Sequence, residues 1–192
     1  DATIPLLEGL ARLEYRGYDS AGISVLSEGK ITTAKRAGKL AVLVAALKER
    51  ALPVAHVGIG HTRWATHGSP NDRNAHQHLD PDGKVALIHN GIIENYHSLK
   101  VELENQGHDF SSDTDSEVVA HLLGVEYSQV NNLTTAMEKV CQRLKGNFSL
   151  VAIAVDSPGT LVGARRNSPL VVGLGDGANF LASDVAAFIS FT

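Results

Sequence analysis

Cysteine is almost absent from this chain of 192 residues, since Cys141 is the only one. A single thiol cannot form an intrachain disulfide or a paired-cysteine zinc site, so a disulfide framework is excluded and the cytoplasm is the expected compartment. Long apolar runs are also missing. The longest, from Leu40 to Leu47, has eight residues, whereas a membrane-spanning helix needs about 20. The sequence therefore predicts no membrane-spanning segment.

The chain also lacks an excess of positive charge. Its 17 Lys and Arg residues stand against 21 Asp and Glu, which gives a formal net charge of -4, and neither sign forms a long block. This argues against a partner that is nucleic acid or a membrane surface. No G-x-x-x-x-G-K-S/T, H-E-x-x-H or G-x-S-x-G motif occurs, so ATPase, zincin and serine-hydrolase interpretations lose their main support.

Hydrophobic periodicity predicts an α+β domain. The length fits one domain, and a hydrophobic fraction of 43% is enough for a core. The predicted elements come in the order helix, hairpin, helix, strands, three helices and then hairpins, which favours largely antiparallel sheets covered by helices. The predicted helices cover about 4–15, 39–50, 94–106, 115–128 and 134–145, and the predicted strands about 21–26, 31–36, 56–65, 84–90, 148–155, 160–165, 169–174 and 179–182.

A long polar loop, residues 66–83, separates two of these strands, and loops of this length are usually functional. Six of the nine histidines lie in or near it. His76 and His78 could place two imidazoles on one side of an extended segment, and Asp113 or Asp115 could complete a metal site. The commoner use of such histidines is to anchor a long loop by hydrogen bonds. The residues leave both interpretations open.

A second group of polar residues suits a small zwitterion. Arg63 stands where a strand ends and can grip a carboxylate with two hydrogen bonds, although a surface ion pair is the alternative. Asn90 and Gly91 end the next strand, where Asn-Gly is typical of a hairpin turn, yet an amide beside a glycine N–H can also form an oxyanion hole. At the start of a helix, capping explains Asp113 and does not require Asp115. One cation, one anion and two donors would suit an amino acid with a reactive carbonyl.

Six segments of the chain carry a resemblance to a known family. Together they resemble the glutaminase domain of the glucosamine-6-phosphate synthases, which are class II glutamine amidotransferases, over nearly the whole chain and with a likeness to actinobacterial members. The resemblance implies an N-terminal nucleophile hydrolase fold, a four-layer α/β/β/α sandwich of two mainly antiparallel sheets. The segments are YRGYDSAG (15–22), HTRWATHG (61–68), NAHQH (74–78), HNGIIEN (89–95), SDTDSEV (112–118) and ASDVAAF (182–188).

The resemblance also implies a role for individual residues. Arg63 would hold the α-carboxylate of glutamine and Asp115 its α-ammonium group, while Asn90 and the N–H of Gly91 would stabilise the oxyanion. No metal or cofactor is implied. The loop that closes over glutamine and the surroundings of the nucleophile would include Trp64, Thr66, His67, His76 and Arg16.

The nucleophile that the resemblance implies, an N-terminal cysteine whose own α-amino group handles protons, matches no residue of the chain. Cys141 falls on the apolar face of a predicted helix and is not expected to replace it. We therefore expect residues 1–192 to be a glutaminase domain truncated at its N-terminus, and inactive as it stands. Its partners would be L-glutamine or L-glutamate and the sugar-isomerase domains of a longer chain that forms a homodimer. The alternative is a glutamine- or glutamate-binding module with no hydrolytic role.

Overall fold

The computed structural model describes residues 1–64 and 68–192. In these two ranges the strands are β1 (Ser20–Ser27), β2 (Lys30–Ala37), β3 (Val57–Arg63), β4 (His78–Leu79), β5 (Val85–Ile93), β6 (Gly146–Ala154), β7 (Val162–Arg166), β8 (Val171–Leu174) and β9 (Asn179–Ala182). They form a three-stranded sheet in the order β2-β1-β3, a four-stranded sheet in the order β4-β5-β6-β7, and a hairpin of β8 and β9. All the pairings between these strands are antiparallel.

In the described part of the chain, five α-helices cover the outer faces of the two larger sheets. Among the described residues, no helix is long and apolar enough to cross a membrane. The helices are α1 (Thr3–Leu13), α2 (Leu40–Glu49), α3 (Tyr96–Asn105), α4 (Asp115–Val130) and α5 (Leu133–Arg143), and two short 3₁₀ turns lie at Glu14–Arg16 and Val185–Ala187.

The alternation of side chains along the central strands explains the layers. On β5, Leu87 packs with α3, α4 and α5, whereas its neighbour Ala86 faces the other sheet. On β6, Leu150 likewise packs with the helices and Val151 faces the other sheet. This follows because successive side chains of a strand point to opposite faces of the sheet. The three-stranded sheet packs against α1 and α2 on its own outer face. The result is a four-layer α/β/β/α sandwich with an apolar layer between the two sheets.

The predicted helices and long strands are confirmed, with their ends displaced by a few residues at most. One alternative that the sequence left open and one local expectation are wrong. Asn90 and Gly91 do not make a hairpin turn, since β5 runs through them to Ile93 and Gly91 pairs with Phe148. The cap of α4 is Thr114, whose side chain accepts a hydrogen bond from the N–H of Glu117, and not Asp113. The long loop also contains the two-residue strand β4, which has too few residues to show an alternating pattern.

Candidate active site

A small polar cavity of about 90 Å³ lies where the end of β3, the middle of β5 and the start of α4 meet. It adjoins a larger, more apolar cavity of about 1050 Å³ that is lined by α1, by the exposed side of β3, by residues of β5 and β6, and by the hairpin of β8 and β9. Five residues line both cavities, namely Arg16, His61, Thr62, His89 and Asn90. The remaining lining residues of the small cavity are Arg63, Trp64, His76, Gly91, Thr114, Asp115 and Ser116.

Arg63 is the buried cation of this cavity, whose other arginine, Arg16, is exposed. It is the last residue of β3, its side chain is buried, and its Nη2 donates to the carbonyl oxygen of Gly68 at 3.1 Å. Burial lowers the pKa of Arg63, and the nearby carboxylates of Asp19 and Asp115 oppose that shift. An arginine remains protonated at neutral pH even so. The guanidinium is therefore a buried positive charge on the cavity wall, which excludes the surface ion pair considered as the alternative.

Asp115 is the anion. As the first residue of α4 it is only 3% exposed, and its Oδ2 accepts a hydrogen bond from the N–H of Ile93 at 2.9 Å. Its Oδ1 accepts from the hydroxyl of Ser116 at 3.3 Å and lies 3.8 Å from Nδ1 of His89. The helix N-terminus favours a negative charge at this position. Asp115 thus presents a fixed carboxylate to the cavity, opposite in sign to Arg63.

Three neighbouring histidines lie at or beside this cavity: His61 and His76 line it, and His78 lies beside His76 outside the lining. The rings of His61 and His76 are stacked with centroids 4.3 Å apart, and His78 meets His76 edge to face at 5.1 Å. Burial, followed by the neighbouring His89 and Arg63, lowers the pKa of His61 to about 3, and burial also lowers the pKa of His76. These imidazoles are neutral at pH 7. They contribute hydrogen-bonding groups to the cavity and add no charge to compete with Arg63 and Asp115.

Asn90 and Gly91 lie on β5 at the boundary of the two cavities. Gly91 has φ +137°, and a β-carbon at this position would overlap the carbonyl oxygen of Asn147 on the neighbouring strand. This position therefore requires glycine because of both its backbone angle and the close approach of β6. A side-chain amide next to such a glycine offers donors to a small polar group in the cavity.

The remaining predicted residues are divided between the cavity and its surroundings. Trp64 and Arg16 line the cavity; Trp64 is 61% exposed and contacts Tyr18 edge to face, and Arg16 pairs with Asp184 at 3.4 Å. Cys141 is partly buried against the cluster under α3, α4 and α5, and burial raises the pKa of its thiol. It does not line either cavity. Thr66 and His67 lie outside the described residues.

Several residues that line the cavity belong to no sequence pattern that marks them as functional. Thr62, Thr114 and Ser116 are ordinary strand and helix-start residues, and their presence in the cavity depends on how the two sheets and α4 meet. His61 and His89 belong to the histidine-rich stretch, but no spacing rule distinguishes them from His56.

Within residues 1–64 and 68–192, no group of three or more His, Cys, Asp or Glu side chains is arranged to hold a metal ion.

Two facing antiparallel sheets covered by helices, with a charged cavity at the strand ends, define an N-terminal nucleophile hydrolase sandwich of the amidotransferase type. A family described as the glutamine amidotransferase domain matches residues 61–190. The chain belongs to this family. Among solved structures, it resembles a glutamine phosphoribosylpyrophosphate amidotransferase from B. subtilis, with a TM-score of 0.82 and 28% identity over 98% of this chain and 41% of that one.

Curated relatives are more similar in sequence. The glutamine–fructose-6-phosphate aminotransferase (isomerizing) of Streptomyces coelicolor is 62% identical over 187 residues, which cover 97% of this chain and 30% of that protein. The proteins of the same name from Leifsonia xyli and Pyrococcus horikoshii are 58% and 52% identical, again over 97% of this chain. The chain thus spans somewhat less than a third of the length of these relatives, 30% and 31% in the two cases. The predicted resemblance, including its actinobacterial character, is confirmed.

Proposed function

We propose that this chain is the glutamine-hydrolysing domain of a glutamine–fructose-6-phosphate aminotransferase, and that the ammonia it releases serves to convert fructose 6-phosphate to glucosamine 6-phosphate. The observation that carries the proposal is the small cavity with Arg63 and Asp115 on its walls and Asn90 at its inner boundary. Similarity to aminotransferases of that name supports this proposal over a binding module without hydrolytic activity. The sugar-isomerase domains and the homodimer of the longer protein belong to the same proposal.

L-Glutamine fits the distribution of charge in the cavity. Its α-carboxylate would bind the guanidinium of Arg63, whose planar fork matches a carboxylate, and its α-ammonium group would bind the free side of Asp115 Oδ1. The side chain would then extend along β5 toward Asn90 and Gly91. The amide of Asn90 and the N–H of Gly91 would donate to the carbonyl oxygen as negative charge develops on it.

The reaction needs a nucleophile at the inner end of the glutamine side chain. We place it in the larger cavity, because this cavity shares Asn90 and His61 with the smaller one. A thiolate there would add to the amide carbon, and the C–N bond would break with transfer of a proton to the leaving nitrogen, which departs as ammonia. Water would then cleave the thioester to give glutamate and restore the thiol. Cys141 lines neither cavity, so Cys141→Ala should leave the release of ammonia unchanged.

Calorimetric titration of the native full-length protein tests the binding roles. Arg63→Ala should weaken L-glutamate binding roughly 10- to 100-fold, as expected for loss of a hydrogen bond to a charged group, and should leave binding of 4-aminobutyrate, which lacks the α-carboxylate, unaltered. Asp115→Asn should weaken binding of glutamate by a similar factor but not that of glutarate, which lacks the ammonium group. Asp109→Asn, which removes a carboxylate at an exposed position that lines neither cavity, is the matched control. Equal losses for complete and truncated ligands would contradict these assignments.

A further inference from the structure

Lys35 is a partly buried cation outside the cavity. It lies on β2, and its Nζ donates to the carbonyl oxygens of Ala75 at 2.8 Å, Gln77 at 3.1 Å and Arg73 at 3.4 Å. All three carbonyl oxygens belong to one short turn segment, residues 73–77, and lie around Nζ. A lysine ammonium has three protons to donate, and three carbonyl oxygens of the 73–77 segment receive them.

The 73–77 segment and Asp72, the residue just before it, are attached to the three-stranded sheet at two further points. The N–H of Ala37, also on β2, donates to Asp72 Oδ1 at 2.6 Å. The side chain of Gln77 is fully buried and donates to the carbonyl oxygens of Gly22 and Ile59 at 2.8 and 3.2 Å. The segment also lies tightly against β1, because a β-carbon at Gly22 would overlap the carbonyl oxygen of His76.

The attached segment is also linked, through Ser116, to Asp115 on the wall of the cavity. His76, in the middle of the segment, is 5% exposed, and its Nε2 lies 3.3 Å from Oγ of Ser116. The same Oγ lies 2.9 Å from Nδ1 of His89 and donates to Oδ1 of Asp115 at 3.3 Å. Oδ1 is the oxygen to which the ammonium group of the substrate is assigned above. A displacement of His76 would therefore change the contacts that fix this oxygen.

We propose that Lys35 is a positioning residue for the ammonium-binding end of the cavity. By donating hydrogen bonds to three carbonyl oxygens of the 73–77 segment, it holds His76 in contact with Ser116 and so fixes the position of the Asp115 carboxylate. The inference rests on the proposed function, since Asp115 receives its role there. Lys35 itself touches no substrate, so its influence belongs to glutamine binding and not to the chemical step.

Steady-state glutaminase kinetics of the native full-length protein test this role. Lys35→Met keeps the length of the side chain and removes its donors, so we expect KM for glutamine to rise roughly tenfold, as for one weakened hydrogen bond to a charged group, while kcat stays within about threefold. Lys35→Arg, which keeps the charge and the donors, should restore KM to within about threefold of the wild-type value. Lys30→Met, on the exposed end of the same strand, is the control and should behave as the wild type.

A wild-type KM in folded Lys35→Met would overturn the inference while leaving the proposed function intact. Absence of glutaminase activity in the wild-type protein would instead contradict the proposed function. If Lys35→Met does not fold, NMR of the wild-type protein tests whether Lys35 is coupled to ligand binding. Coupling between two sites is reciprocal, so saturating glutamate should slow exchange of the Lys35 ammonium protons and leave those of Lys30 unchanged. No response at Lys35 would refute the role.

Discussion

Asp115 and Ile93 join the start of helix α4 to the end of strand β5, through a hydrogen bond of 2.9 Å from the N–H of Ile93 to Oδ2 of Asp115. One oxygen of this buried carboxylate is therefore structural, while the other faces Ser116 and the cavity. The same side chain is positioned to hold two elements together and to present a negative charge to a ligand. Its two roles are separable by substitution.

Asp115→Ala should destabilise the protein by about 1–3 kcal/mol, because the buried N–H of Ile93 loses its acceptor. Asp115→Asn keeps an oxygen that can accept this bond, so its free energy of unfolding should lie closer to that of the wild type. Urea denaturation of the two variants measures the difference. Equal stability of the alanine and asparagine variants would show that the bond to Ile93 contributes little.

Asn90→Ala should lower kcat for glutamine hydrolysis by roughly 10²- to 10³-fold and leave KM within about threefold, since an oxyanion donor acts mainly in the transition state. Asn90→Asp should be at least as harmful because it replaces a donor with a negative charge. Asn147→Ala, an exposed asparagine on the paired strand β6 and outside the lining of both cavities, is the control. Near-normal turnover of Asn90→Asp would remove Asn90 from the site.

Gly91→Ala should cost roughly 2–6 kcal/mol of stability, the sum of a strained backbone angle and of overpacking against Asn147. Gly107→Ala is a matched control: Gly107 also has positive φ, +89°, but a β-carbon there meets no atom within 4 Å. Its cost should be limited to the backbone strain, about 1–3 kcal/mol. Comparable unfolding free energies for the two variants would show that β6 moves aside.

Glu117 should make the free energy of unfolding depend on pH in the acid range. Burial disfavours its charged form, but hydrogen bonds from the backbone and hydroxyl groups of Ser111 and Ser112 outweigh burial, so the pKa of Glu117 lies below its ordinary value. A carboxyl group with a lowered pKa in the folded state stabilises the protein above the unfolded-state pKa of about 4.3 and loses this contribution as the pH falls through the folded-state value.

Glu117→Gln should therefore be less stable than the wild type at pH 7, and the difference should shrink as the pH falls below about 4.3. Denaturant unfolding between pH 3 and 7 measures it. Glu138→Gln, at an exposed position of α5, should match the wild type throughout. A stability difference that does not change with pH would mean that the charge of Glu117 is not what the four donors stabilise.

The sequence by itself determined the secondary structure of this protein. Continuous apolar runs in β5 and β6 and the helical spacing of apolar residues in α1, α2 and α5 predict these elements, because such patterns are local. The four-layer sandwich was what the motif resemblance implied. The motif resemblance also identified Arg63, Asp115, Asn90 and Gly91, which the structure places around one cavity.

Only the tertiary structure decided what surrounds those residues. The strand path through Asn90 and Gly91 follows from pairing with β6, where the approach of Asn147 excludes a side chain, although the dipeptide alone favours a turn. Lys35 donates hydrogen bonds to the 73–77 segment, and His76 contacts Ser116. Both contacts join elements that are distant in sequence. Their geometry depends on strand register and sheet packing, which local periodicity does not specify, because many pairings would bury the same faces.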